Sequence, residues 1–184
     1  MTKSANLVTS IKVEINAPAS LVWEVLTDLE NYPHWNSFCF SARCGMQIND
    51  LVEMLTRHPD TGETWPVNEY LVACEPELLL SWEQRPVPEN KDAARRDQYV
   101  EAIDANRCTY FTTDQFLGIN ADTIMAEHGA WVKKAFDQVA RDLKKRAEAL
   151  QCGCTARIAD AARLGLSAQA GRRLRDRLPQ IRRR

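Results

Sequence analysis

Between Leu7 and Asn16, apolar and polar residues alternate. Ile11, Val13 and Ile15 fall on one face and Lys12 and Glu14 on the other, which predicts a half-buried strand. The segment Ala17-Pro18-Ala19-Ser20 interrupts that pattern. Ser20 is a candidate N-cap with Glu24 in the turn that follows, and Leu21, Val22, Val25, Leu26 and Leu29 recur at helical spacing. This helix is expected to stop before Pro33, because the residue preceding a proline avoids the α region. A short turn or second helical piece then covers residues 31–37.

The next eighty or so residues have strand character with turn punctuation. Residues 38–43, 48–57, 67–74, 78–85, 98–103 and 108–117 read as strands. Pro59-Asp60-Thr61-Gly62 carries the residues of a tight turn. Residues 86–94 read as a polar loop, and residues 104–106 as a hairpin connection. From Asn120 the period changes. Asn120 or Asp122 can cap a helix in which Ile124, Trp131, Val132, Ala135, Phe136, Val139, Leu143 and Leu150 form one stripe. At ~1.5 Å per residue, a helix reaching Leu150 runs ~45 Å, enough to cross a whole sheet. Sheet and helix must cover each other's apolar faces, so the expectation is a two-layer α+β domain.

Composition sharpens this picture in three ways. At 184 residues, 45% hydrophobic and 27% charged, the chain suits one globular domain with a short extension. No run approaches the ~20 apolar residues of a membrane span, and residues 1–10 lack a signal-peptide pattern, so a cytoplasmic protein is expected. The net charge of −1 conceals a split. Residues 151–184 hold nine Arg and two Asp, leaving 15 basic and 23 acidic residues in 1–150. The expected organisation is an acidic domain over residues 1–150 and a basic Arg/Ala-rich tail over 151–184, flexible or loosely helical. If that tail is helical, Leu174, Leu178 and Ile181 form one face of a short basic amphipathic helix, a form suited to an acidic partner or a membrane surface. Specific nucleic-acid binding is not expected from so acidic a core. The six cysteines show no C-x-x-C spacing; most read as buried thiols, with Cys152 and Cys154 outside the core pattern.

Three stretches carry a family resemblance. Val13 to Asp28, with the run Asn16-Ala17-Pro18-Ala19-Ser20-Leu21-Val22-Trp23, resembles the opening of the SRPBCC superfamily, which includes polyketide cyclase/dehydrase-like, START-like and birch-pollen-allergen-like proteins. Tyr32-Pro33-His34-Trp35-Asn36 resembles its YPxWN signature. Asp114-Gln115-Phe116-Leu117-Gly118 resembles its E-x-F-x-G exit from the last strand, with Asp114 where Glu is common. The resemblance spans residues ~8–150 in the order of the elements above. It implies a helix-grip fold, a curved antiparallel sheet of about seven strands around a long C-terminal helix with an internal cavity. The Arg-rich tail has no counterpart in it.

Alternation then selects candidates for the cavity wall. If Phe116 points inward, so do Asp114, Thr112, Tyr110 and Cys108; if Trp82 does, so do Leu80 and Gln84. On the helix, His128 shares a face with Ile124, Trp131 and Val132, and Phe136 continues it. Trp35 is a further candidate, although its position in the family closes the helix–strand turn and favours packing. Tyr99 joins if it and Glu101 face inward; Val100 and Ala102 are the alternative. A wall dominated by Trp82, Tyr110, Phe116, Trp131 and Phe136 suits a hydrophobic or aromatic ligand with few oxygens, and the same residues serve equally as core filling.

For chemistry, Asp114 beside His128 is a candidate to orient and activate the imidazole as a general base, with Tyr110 as a donor to a ligand carbonyl. The competing role for Asp114 is pairing with a core Tyr, Thr or Arg. His34 and His58 fall in loops. No phosphate loop, hydrolase elbow, metal-ligand spacing or organic cofactor is indicated. Binding of a small lipophilic or aromatic molecule is the leading expectation. A cofactor-independent cyclase or dehydratase using Asp114, His128 and Tyr110 is the alternative, and a tail-driven interaction protein the third.

Overall fold

In the computed structural model, secondary structure is described for residues 5–163 and side chains for residues 5–153. The elements are β1 (Leu7–Thr9), β2 (Val13–Ile15), α1 (Ala19–Thr27), a 3-10 turn (Leu29–His34), β3 (Cys39–Arg43), β4 (Leu51–Arg57), β5 (Thr64–Glu75), β6 (Leu79–Glu83), β7 (Ala94–Asp104), β8 (Arg107–Phe116) and α2 (Ala121–Arg163). All strands join one antiparallel sheet in the order β1-β8-β7-β6-β5-β4-β3, with β2 also on β8. This is the expected α+β architecture, a curved open sheet with a long C-terminal helix. Residues 1–149 form one compact unit and 150–184 a second. Of the second, residues 150–163 are helical; the segment holding Leu174, Leu178 and Ile181 lies outside the described residues.

The N-terminal alternation produces two short strands rather than one. Thr9 pairs with Thr113 and Val13 with Tyr110, so both strands follow the same edge of β8. Between them Ser10 exchanges bonds with Thr112: its N–H donates to the Thr112 carbonyl at 2.9 Å, and its hydroxyl accepts the Thr112 N–H at 3.0 Å. The Ile11 N–H leaves the ladder and donates to Asp137 Oδ1 of α2 at 2.7 Å. A carboxylate 126 residues further along the chain has replaced a strand partner.

α1 begins one residue before Ser20. Pro18 is its N-cap, no side chain caps the helix, and Ser20 is exposed within the first turn. Proline suits a helix start because its missing N–H is not needed there and its φ is already fixed. The turn after α1 contains Pro33 and buries Tyr32, whose hydroxyl donates to the Leu26 carbonyl at 2.7 Å. Buried Asn36 fastens the chain into β3, its Oδ1 accepting the N–H groups of Phe38 and Cys39 at 3.1 and 2.8 Å.

Two strands start earlier than alternation indicated. β5 begins at Thr64 instead of residue 67, and β7 at Ala94 instead of 98. The first half of β5 pairs with β4 alone, Leu55 opposite Pro66, while β6 pairs only from Tyr70 onward. A proline fits on that half because one side of it needs no ladder donor.

The sheet's inner face packs on α2 through Val8, Phe116, Ala121, Val132, Ala135 and Phe136. Val139, Ala140, Leu143 and Ala147 continue the buried stripe. Polar clamps register the helix: Asp142 accepts from the Ser37 hydroxyl, and Glu148 from the Asn16 N–H at 2.9 Å. Gly118, in the β8–α2 connection, sits where an added Cβ would lie 1.9 Å from the Lys91 carbonyl oxygen. Only glycine permits that approach.

Candidate functional site

Between the sheet and the first turns of α2 lies a cavity of about 280 Å³. Inner-face alternation on five strands builds it. Met54 and Thr56 come from β4, Trp65, Val67 and Glu69 from β5, Trp82 from β6, Ala94 and Arg96 from β7, and Asp114 and Phe116 from β8. Phe38, Gln84 and Asp92 add to the lining from connections. α2 closes the space with Ile124, His128, Trp131, Val132 and Phe136, which lie on one helical face.

Nine residues chosen by alternation thus line this space: Trp82, Gln84, Asp114, Phe116, Ile124, His128, Trp131, Val132 and Phe136. Five others do not. Leu80 is fully buried in the core. Tyr110 has the correct inward parity but does not line the cavity; it is fully buried, its hydroxyl donating to Gln98 Oε1 at 3.0 Å. Thr112 is likewise enclosed; its hydroxyl donates to the Asp97 carbonyl at 2.8 Å. Trp35 packs edge-on against Tyr32, with ring centroids 4.9 Å apart, in the turn after α1. Tyr99 faces the opposite side of the sheet, stacked on Phe111 at 4.7 Å with its hydroxyl on Asp97 Oδ2. Burial of Gln98 and Val100 fixes that parity, so Glu101 is also outward, paired with Lys12.

Asp114 and His128 share the cavity without forming the expected pair. His128 Nδ1 accepts the indole N–H of Trp131 at 3.1 Å. That bond occupies the nitrogen and commits the neutral ring's proton to Nε2. Around Trp131 gather the His58 ring at 4.7 Å and the Trp65 ring edge-on at 5.7 Å. Lys134 of α2 holds Asp60 of the β4–β5 turn, so that turn is tied to the helix beside this aromatic wall.

The polar centre was missed by the sequence reading. Arg96 is only 5% exposed. Its Nε donates to Thr112 Oγ1 at 3.2 Å, and its guanidinium carbon sits 4.2 Å from the centroid of the Phe136 ring. Phe38 and Trp82 flank it at 6.0 and 5.9 Å. Nη2 has no acceptor, and Arg96 takes part in no ion pair among the described residues. Besides the exposed Asp92, two carboxyls share the space. Burial, with Asp114 nearby, pushes Glu69 up to about 8, against a smaller downward pull from Arg96. Burial likewise raises Asp114 to about 7, partly offset by Arg96. Glu69 Oε2 has no hydrogen-bond partner among the described residues. The cavity therefore combines an apolar aromatic wall with one buried cation and two carboxyls that hold their protons near neutrality.

No curated protein matches the chain. Among solved structures, a protein from Chromobacterium violaceum superposes with a TM-score of 0.60 at 9% identity, covering 79% of this chain and 99% of the other. The Zhui aromatase/cyclase from Streptomyces sp. R1128 gives 0.57 at 18% identity, covering 77% and 93%. A START superfamily protein from Mycobacterium smegmatis gives 0.50 at 13%, covering 74% and 98%. At these identities the likeness is one of fold, the helix-grip arrangement. The family model described as polyketide cyclase / dehydrase and lipid transport matches residues 7–148, nearly the whole compact unit, and the chain belongs to that family, within the SRPBCC superfamily.

Proposed function

We propose that the protein binds a compact, largely apolar molecule, aromatic or lipid-like, in the cavity between the sheet and α2. The observation that carries this reading is a partly open, aromatic-walled cavity lined by Arg96, the one buried guanidinium among the described residues. Its volume is near the lower end of the ~300–1,000 Å³ typical of small-molecule pockets, which favours a mono- or bicyclic ligand over an extended polycycle. Apolar walls supply affinity and the few polar groups supply orientation.

The test is native mass spectrometry of the purified chain, then denaturing extraction and identification of what was carried. A stoichiometric apolar molecule, depleted about tenfold in Trp131→Ala, is the expected result. A chain that arrives empty and binds no aromatic probe would overturn the reading.

A second reading is favoured by the position and protonation of Asp114. A carboxyl titrating near neutrality can accept a proton from a carbon next to a ligand carbonyl, and the electron pair then moves to an oxygen facing Arg96. This is the chemistry a cofactor-independent cyclase or dehydratase requires, and one fold neighbour is named as an aromatase/cyclase. Asp114 takes the role of base here, with Tyr110 and His128 outside the proton path. Asp114→Asn, with thermal unfolding unchanged, should abolish turnover of an extracted ligand while leaving its binding within about threefold. Full turnover in that variant would remove this mechanism.

A further inference from the structure

The charge on Arg96 has no counter-ion among the described residues, and neither Asp114 nor Glu69, the carboxyls that act on it, supplies one. Asp114 stands directly opposite Arg96 in the β7–β8 register, yet forms no ion pair with it. Glu69 reaches the same space from β5 with one oxygen unpartnered. A buried charge left alone is costly, and the cost is removed when an opposite charge with matching geometry arrives. The guanidinium is prepared for such an arrival. Thr112 anchors Nε, Phe136 lies beneath the plane, and Nη2 is left without an acceptor. A planar carboxylate or enolate is the group that such a fork receives in two parallel bonds. Phe38 and Trp82 beside it provide flat apolar surface for a ring attached to that group.

Resting on the binding reading above, we propose that the ligand enters as an anion: a compact aromatic molecule whose single carboxylate or enolate pairs with Arg96, accompanied by a proton retained or taken up by Glu69 and Asp114. An arriving negative charge repels both carboxylates and so favours their protonated forms. Other charged or titratable groups bear on them from every side. Glu83 and Asp97 act from β6 and β7 and oppose ionisation of Glu69 and Asp114 respectively. Cys39 and Tyr110 lie near the guanidinium and are themselves held protonated by burial. Asp92 and His128 complete the lining. With both carboxyls protonated the centre carries the Arg96 charge alone; with both ionised it carries a net negative charge and rejects an anion. Anion affinity is therefore highest below the range in which Glu69 and Asp114 titrate and falls as pH rises through about 7 to 8.

The experiment titrates full-length protein with naphthoate and with its neutral isostere naphthamide, following tryptophan fluorescence and calorimetry in two buffers of different ionisation heat. Near pH 6, naphthoate should bind about tenfold or more tightly than naphthamide, and this preference should shrink about tenfold by pH 9. Arg96→Gln should bring naphthoate down to the naphthamide level. Should that variant fail to fold, Glu69→Gln decides: it should keep the naphthoate preference at high pH and reduce the proton uptake seen by calorimetry. Equal affinity for the two probes would overturn the anion assignment while leaving the cavity reading intact. Binding of neither would overturn both. A naphthoate preference that persists in Arg96→Gln, or that has the same pH dependence in Glu69→Gln, would overturn the roles given to those residues.

Discussion

Arg95 and Arg96 are neighbours in sequence and opposites in circumstance. Arg95 lies on the outer face of β7, where its Nε meets Asp97 Oδ1 at 2.9 Å and Asp97 also holds Ser81 and Tyr99. That contact raises the Arg95 pKa above its ordinary value. Arg96, one step along the strand, is nearly sealed from solvent and has no carboxylate partner among the described residues. The same side chain is structural on one face and available on the other. The pleat decides which, since successive residues point to opposite sides. A satisfied arginine says little about a ligand; an unsatisfied buried one calls for an explanation.

The most severe way to break this contrast is substitution at the pair itself. Arg96→Met should weaken naphthoate by about thirtyfold or more, roughly 2 kcal/mol, because the anion loses its charged partner. Arg95→Met should leave that affinity unchanged and alter stability by about 0.5 kcal/mol, as expected for a half-exposed ion pair. Equal effects of the two substitutions in a fluorescence titration would erase the distinction between the faces.

A second prediction sharpens the electrostatic side. The folded protein holds the Glu69 proton to about 8, whereas the unfolded chain releases it near the ordinary glutamate value. Between those limits the native state binds more protons, so stability falls as pH rises through that window. Glu69→Gln removes the penalty. Urea unfolding near pH 9 should show a gain of about 2 kcal/mol, and no gain near pH 4. A gain of equal size at both values would mean that burial of the carboxylate is not its source.

The smallest effect concerns Tyr110. Tyr110→Phe leaves Gln98 Oε1 without its donor and should cost about 1 kcal/mol in urea unfolding, with ligand affinity unchanged. A tenfold loss of affinity at unchanged stability would return Tyr110 to the site.

How much of this was legible before the structure follows from the same strand. The element order, the α2 stripe and the inward set on β8 are local periodicities, and they placed Asp114, Phe116, Trp131 and Phe136 around one space. Arg96 escaped because residues 86–94 read as a polar loop and the strand only from residue 98, which leaves Arg95-Arg96-Asp97 in neither. Their charges conceal a β7 that begins four residues earlier. Glu69 carried a usable signal, since Trp65, Val67, Glu69 and Leu71 alternate, but an acidic residue in a strand is ordinarily assigned to solvent. Tyr99 was ambiguous because residues 98–103 offer apolar side chains at both parities. Other features had no local trace. The break at Ser10-Ile11-Lys12 depends on Asp137, 126 residues away. The His128–Trp131 bond depends on rotamers that spacing does not specify.

The pairing of β1 and β2 with β8, and the hold of Glu148 on Asn16, also set a timetable for synthesis. The first strands to leave the ribosome have partners that emerge about a hundred residues later, and Asn16 waits 132 residues for Glu148. At ~5–20 residues per second, the wait of about a hundred residues is roughly 5–20 seconds in which β1 and β2 are unpaired, and Asn16 waits somewhat longer. Closure joining both ends of the domain must come late, since distant contacts are the slow ones to form. The nascent chain therefore passes through a period with an open β8 edge and an uncovered inner face, when chaperones have most to protect.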